Sequence, residues 1–304
     1  GAGSYRHHIP AIVSSLAGRG ELMTPYTPYQ PEVSQGTLQV GYEFQTLCCQ
    51  LTGMEVANAG MYDGSTSLAE AALMAARVTG GNRIAVVDSL SPTYAEVLRT
   101  YTQSQGLIID RVSRDQPGLE EGTACLLVQQ PNFFGYMEDM RSYAELAHSR
   151  GALLVAYVDP MSLAMFTPPG EYDADIVAAE GQALGVPPTF GGPYVGIFAC
   201  KQRYVRQMPG RIVGKTVDSN DRTAYVLTLQ TREQHIRRER ATSNICTSVA
   251  LIALMSTVYM AANGKRGMRH IAELCYHKAH YAASLIDGLP GYTLPLEGTF
   301  FQEF

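Results

Sequence analysis

Several stretches of the chain carry residue types that could do chemistry. Asp159 closes the apolar run Ala152–Val158, Glu180 closes a second run that starts at Ala174, and Gly181-Gln182-Ala183-Leu184-Gly185 follows directly. Upstream, Met61-Tyr62-Asp63-Gly64-Ser65-Thr66-Ser67 places a glycine and hydroxyls before an apolar stretch with helical spacing, Leu68 to Val78. An acid at the end of a buried strand can keep a heterocyclic nitrogen protonated, while Gly64, Ser65 and Thr66 at a helix start could grip a phosphate through backbone N–H groups and hydroxyls. The pair suggests pyridoxal phosphate. Taken singly, each motif is better explained as helix capping, by Asp159 in one case and by the Ser/Thr hydroxyls in the other.

A pyridoxal enzyme also needs a lysine for its Schiff base, after the acid in sequence and on an adjacent strand end. The position to search holds Gln182, whose carboxamide is not nucleophilic and forms no imine. The first lysine in the 304-residue chain is Lys201, past the strand Tyr194–Cys200, and the next is Lys215. Both stay open as alternatives for a self-sufficient enzyme. Lys215 lies in Pro209-Gly210-Arg211-Ile212-Val213-Gly214-Lys215-Thr216, which is one residue short of a P-loop and follows no strand, so a nucleotide site is rejected there.

Two further segments invite a role. Pro25, Pro28 and Pro31 punctuate the loop that includes Tyr26, Tyr29, Gln30 and Glu32; regular structure is ruled out, and side-chain contacts must fix the loop, either at a site or against a neighbouring subunit. The stretch Thr228–Asn244 gathers Arg232, His235, Arg237, Arg238 and Arg240, the densest basic cluster in an acidic chain. It could line a pocket or receive an acidic partner, or be a solvated face with i,i+4 pairing that leads through a Thr242-Ser243-Asn244 cap into a buried helix.

The elements that must position these groups alternate. Strands are expected at 84–88, 107–112, 124–129 and 153–158, and helices at 10–19, 36–52, 92–101 and 137–149; this is the βαβ pattern of a mostly parallel sheet, which presents its ligands at the strand C-termini. Three parts follow: an N-terminal arm and helix (1–50), a large α/β domain (51–263), and a connecting helix with the start of a small C-terminal domain (264–304). A net charge of -5 argues against nucleic acid. The six cysteines show no metal-ligand spacing and read as reduced residues of a cytoplasmic protein. The uncharged run Ile245–Ala262 is too polar for a membrane span and is expected to be a buried helix. With no basic leader at the start and a strand-like Thr299–Phe304 at the end, the chain is expected to be cut from a longer protein.

Tyr26-Thr27-Pro28-Tyr29-Gln30-Pro31-Glu32, Met61-Tyr62-Asp63-Gly64-Ser65-Thr66, Phe190-Gly191-Gly192-Pro193-Tyr194-Val195-Gly196 and Leu229-Gln230-Thr231-Arg232-Glu233-Gln234-His235-Ile236-Arg237-Arg238 resemble the glycine decarboxylase P-protein of the glycine cleavage system. The resemblance covers essentially the whole chain, and within the family it is to the alpha, N-terminal-type subunit (subunit 1) of the two-subunit form. It implies a type I pyridoxal-phosphate-dependent transferase-like α/β fold, with a mostly parallel sheet covered by helices, in a cytoplasmic heterotetrameric enzyme. That enzyme decarboxylates glycine and passes the aminomethyl group to the lipoyl arm of H-protein. The resemblance further implies that subunit 2 carries the Schiff-base lysine and holds the pyridoxal phosphate, and that this chain supplies no catalytic residue. Gly64, Ser65, Thr66, Asp159 and Gln182 would form a degenerate pocket. Tyr26, Tyr29, Gln30, Glu32, Arg232, His235, Arg237 and Arg238 are the candidates to wall the partner's site or the lipoyl entrance. A purely structural scaffold subunit is the remaining alternative.

Overall fold

A computed structural model describes residues 3–24, 26–246 and 249–304. Its strands are β1 (Val56–Ala57), β2 (Arg83–Val87), β3 (Ile108–Val112), β4 (Thr123–Gln130), β5 (Leu153–Val158), β6 (Ile176–Glu180), β7 (Gly196–Cys200), β8 (Ile212–Val217) and β9 (Thr223–Thr228). Its helices are α1 (Ala11–Ala17), α2 (Gln35–Thr52), α3 (Gly64–Thr79), α4 (Pro92–Thr102), α5 (Met140–Ser149), the single turn α6 (Gln234–Arg237) and α7 (Ala250–Asp287).

Seven strands form one sheet in the order β1-β7-β6-β5-β4-β2-β3, with β2 to β6 parallel and β7 reversed. The central strands are apolar without alternation because helices cover both faces. Along β5, Leu154, Ala156 and Val158 join a core with residues of α2, α5 and α7, whereas Leu153, Val155 and Tyr157 join a second core with α3 and α4. Two glycines let α3 lie close to the sheet. A Cβ on Gly64 would collide with the Tyr157 hydroxyl and the Glu180 backbone, and one on Gly196 would collide with Ser67 and Asp63.

Several local expectations change. The third helix does not start at Leu68: α3 begins at Gly64, because the Asp63 carboxylate, not a hydroxyl, caps it by accepting from Thr66 N at 2.9 Å. The uncharged run becomes helical only from Ala250, with Val249 at its N-cap, so Thr242-Ser243-Asn244 is not its cap; Thr247 and Ser248 lie outside the described residues. The helix then continues through a non-helical Gly264 to Asp287. The hairpin β8–β9 escapes the sequence reading, since Lys215 and Thr216 point to solvent and leave only Ile212, Val213 and Leu227 buried. Thr299–Phe304 makes a single bridge, Phe300 to Tyr136, and no strand. Among the described residues, no helix is long and apolar enough to cross a membrane and no His/Cys/Asp/Glu group could hold a metal ion.

Reversal of β7 sets Cys200 opposite Ile176 and carries Lys201 to the amino edge of the sheet. There the side chain of Asp175, fully buried, accepts from Lys201 Nζ at 2.8 Å, Arg203 Nη2 at 2.9 Å and Leu154 N at 3.0 Å, and meets His148 Nε2 at 2.7 Å. Burial alone would push this carboxyl up; the bonds from Lys201 and His148 outweigh it and hold the group below the ordinary carboxylate range. Asp175→Ala should therefore cost about 2 kcal/mol in urea unfolding, because it leaves the buried Leu154 N–H without its acceptor and removes the carboxylate shared by Lys201, Arg203 and His148. The contribution is present above an unfolded aspartate's pKa of about 4 and drains away as pH falls below it; equal unfolding midpoints for the two proteins at pH 7 would contradict the assignment.

Candidate functional site

At the carboxyl edge, the register that sets Val158 beside Ala179 brings Asp159 and Glu180 to adjacent strand ends, facing the start of α3. Their oxygens are already engaged. Asp159 Oδ1 accepts from Met161 N at 2.7 Å and Ser162 N at 3.1 Å, and Oδ2 from Gln302 Nε2 at 3.0 Å. Burial nevertheless pushes its carboxyl up to about 6. Glu180 Oε2 accepts from Gly64 N at 2.8 Å and Oε1 from Gln182 N at 3.0 Å. Burial, opposed by the Gly64 bond, pushes Glu180 up to about 8.

The first turn of α3 is satisfied from within. The Asp63 carboxylate accepts from the Ser65 hydroxyl at 2.6 Å as well as from Thr66 N. Gly64, Ser65 and Thr66 thus sit at a helix N-terminus as the sequence suggests, but two carboxylates take the place that an exogenous anion would take.

Gln182 is 1% exposed. Its amide pairs twice with a passing segment of backbone, accepting from Tyr5 N at 2.7 Å and donating to Tyr5 O at 2.9 Å, and it also donates to Val186 O at 2.6 Å. The Tyr5 hydroxyl donates to Glu303 at 3.2 Å. What remains between Tyr5, Tyr94, Tyr157, Asp159, Glu180 and Phe301 is a cavity of about 30 Å³, far below the 300 Å³ or more of an ordinary ligand pocket; a wider hollow of about 520 Å³ adjoins it at Gly3, Tyr94 and Glu180 and reaches Asp63 and Ser65. As folded, this pocket does not fit pyridoxal phosphate: no lysine lines it and the helix N-terminus is taken. Lys201 is at the opposite edge of the sheet and Lys215 is exposed on the β8–β9 hairpin, so neither serves the self-sufficient alternative.

The remaining candidates divide. Tyr29, Arg232 and His235 come together around a pair that the sequence did not single out, Arg211 and Glu233, which are ion-paired and almost fully buried. Arg211 donates to the Tyr29 hydroxyl at 2.7 Å; the Tyr29 and His235 rings meet edge-on at 5.1 Å; His235 Nδ1 is 3.4 Å from Glu233; and Arg232 donates to Gly210 O at 3.0 Å. Arg211 also binds Cys246 O, and Cys246 N donates to the Tyr62 hydroxyl at 3.0 Å, so this cluster reaches the residue next to Asp63. Tyr26, Gln30, Glu32, Arg237 and Arg238 are exposed. Signals for Arg211, Glu233 and Tyr5 were faint: Arg211 and Glu233 lie in stretches read for Lys215 and for the basic cluster, Tyr5 is a lone aromatic, and only the fold shows what each meets.

A seven-stranded sheet of this order, with acids at the ends of β5 and β6, defines the class: the chain has the type I fold of pyridoxal-phosphate-dependent enzymes. It superimposes with a TM-score of 0.68 on a sphingosine-1-phosphate lyase from Burkholderia pseudomallei, covering 98% of this chain and 71% of that one at 13% identity, which shows the fold alone. The chain belongs to the glycine cleavage system P-protein family, which it matches over residues 1–302. It is 54% identical over 315 residues to the probable glycine dehydrogenase (decarboxylating) subunit 1 of Thermomicrobium roseum, and 51% identical over 310 residues to that of Thermotoga maritima; each alignment covers 100% of this chain and 70% of the relative. A crystal structure of glycine decarboxylase (P-protein) of the glycine cleavage system, in inhibitor-bound form, matches with a TM-score of 0.94 and 46% identity over 99% of this chain and 70% of that chain.

Glu180 yields a pH test. A carboxyl whose pKa is raised in the folded chain stabilises it fully below the unfolded value, and that stability is lost as pH rises towards the folded value of about 8. Between about pH 5 and pH 8 the Tm of the wild type should fall relative to that of Glu180→Gln. A Tm difference that stays constant across this interval would show that Glu180 titrates normally.

Proposed function

We propose that this chain is subunit 1 of a divided glycine decarboxylase, in which the partner subunit holds both the pyridoxal phosphate and the lysine that anchors it. The complete enzyme, on this reading, decarboxylates glycine and passes the aminomethyl group to the lipoyl arm of H-protein. The observation that carries the reading is the state of Gln182: the residue at the expected lysine position is buried and spends both ends of its amide on backbone. No group of this pocket is left to act as a nucleophile, and the relatives at 54% and 51% identity are themselves named as a numbered subunit.

The chain's own contribution is then to build a wall. The buried Arg211–Glu233 pair fixes Tyr29 and His235 in one arrangement, and this rigid base presents the exposed Tyr26, Gln30 and Glu32 on one side and Arg237 and Arg238 on the other. Such a surface suits the partner's site and the lipoyl entrance: side chains held by packing position a neighbour's substrate, while exposed arginines steer an acidic surface towards it.

Exchange of carbon dioxide into glycine should be absent with this subunit alone and appear only with the partner subunit and H-protein. Activity of the unpaired chain would refute the reading. In the assembled enzyme, Arg237→Ala with Arg238→Ala should lower kcat/KM for H-protein about tenfold, the equivalent of about 1.4 kcal/mol. Unchanged kinetics would remove the arginines from the entrance, and unchanged turnover in Tyr29→Phe and His235→Ala would favour a scaffold.

A further inference from the structure

We infer that the inner part of the pocket at the carboxyl edge, between Tyr5, Tyr157 and Asp159, is filled by the chain's own groups, each standing where part of a cofactor would stand, so that a lysine at position 182 would not by itself make it a cofactor site. The inference rests on the reading of this chain as the cofactor-free subunit and adds the physical cause.

Three replacements carry it. The Tyr5 phenol shares the cavity with Asp159, Tyr94 and Tyr157, in the space a planar ring would need, and its hydroxyl is tied to Glu303. Glu180 and Asp63 occupy the N-terminus of α3, Glu180 accepting from Gly64 N and Asp63 from Thr66 N and the Ser65 hydroxyl. A phosphate arriving there would find these donors taken and would have to break their bonds. Finally, Gln182 holds the backbone of Tyr5 from both sides, so a side chain with donors only would leave Tyr5 N without its acceptor and loosen the segment that carries the ring. The pocket is therefore shaped for a neutral phenol and set against an anionic ring.

The test uses the full-length subunit, alone and assembled with its partner. Gln182→Lys, incubated with pyridoxal phosphate and treated with borohydride, should carry no pyridoxyl label at position 182 by peptide mass spectrometry. Stoichiometric label there overturns the inference. Tyr5→Ala should lose about 4 °C in Tm, and millimolar p-cresol should recover a good part of that loss while pyridoxal phosphate should not. An unchanged Tm, no recovery with p-cresol, or greater stabilisation by pyridoxal phosphate each overturns it, and these arms hold even if Gln182→Lys does not fold. Label on Lys201 or Lys215 in the wild type would instead refute the subunit reading, so the two failures are distinguishable.

Discussion

The carboxylate of Glu180 joins three parts of the molecule at one point. From the end of β6 it accepts the first N–H of α3 and the N–H of Gln182, binding the sheet, a helix N-terminus and the following loop through one buried group. Its cost is desolvation, visible in the upward push on its pKa, and the compensation is a helix dipole aimed at it together with two backbone donors. Gly64 and Gly196 belong to the same constraint. Without a Cβ at either position, α3 can come close enough for the bond to form.

The opposite edge of the sheet is arranged on different terms. Asp175 is as deeply buried as Glu180, yet it is ringed by Lys201, Arg203 and His148, and its acidity moves the other way. One edge thus has carboxylates neutralised by backbone and the other has a carboxylate neutralised by side-chain cations. That contrast explains why the chain's first lysine, despite following the acids in sequence, is a structural counter-ion: the reversed direction of β7 delivers it to the far side.

Much of the fold was legible in the sequence because the central strands are short, uninterrupted apolar runs separated by helices with clear ends, such as Gly80 at a φ of 75° after α3. The edge groups were legible too, since Asp159, Glu180 and Gln182 follow those runs directly. The start of α3 was misplaced because Asp63, Ser65 and Thr66 are all capping residues, and only geometry decides which of them caps. The hairpin β8–β9 was missed because it buries a single residue layer against α2, too little to impose alternation. Arg211 and Glu233 were invisible as a pair because 21 intervening positions and no periodicity connect them.

Among the described residues, Gln182 is one of four glutamines that treat a passing chain alike, Gln130 doing so to Glu138 at 2.7 and 3.5 Å. Gln35 accepts from Tyr225 N at 2.8 Å and donates to Tyr225 O at 2.9 Å, and Gln45 does the same to Val213 at 2.8 and 3.0 Å. A primary amide offers a donor and an acceptor side by side, as a peptide unit does, so each of these side chains works as a single rung of β-ladder supplied by a side chain in place of a neighbouring strand. A single base separates glutamine codons from lysine codons, so the genetic distance between the two residues at this edge is minimal. The obstacle lies in the protein: the step would break a rung, which makes the present state easy to keep and hard to leave, a ratchet cut in hydrogen bonds.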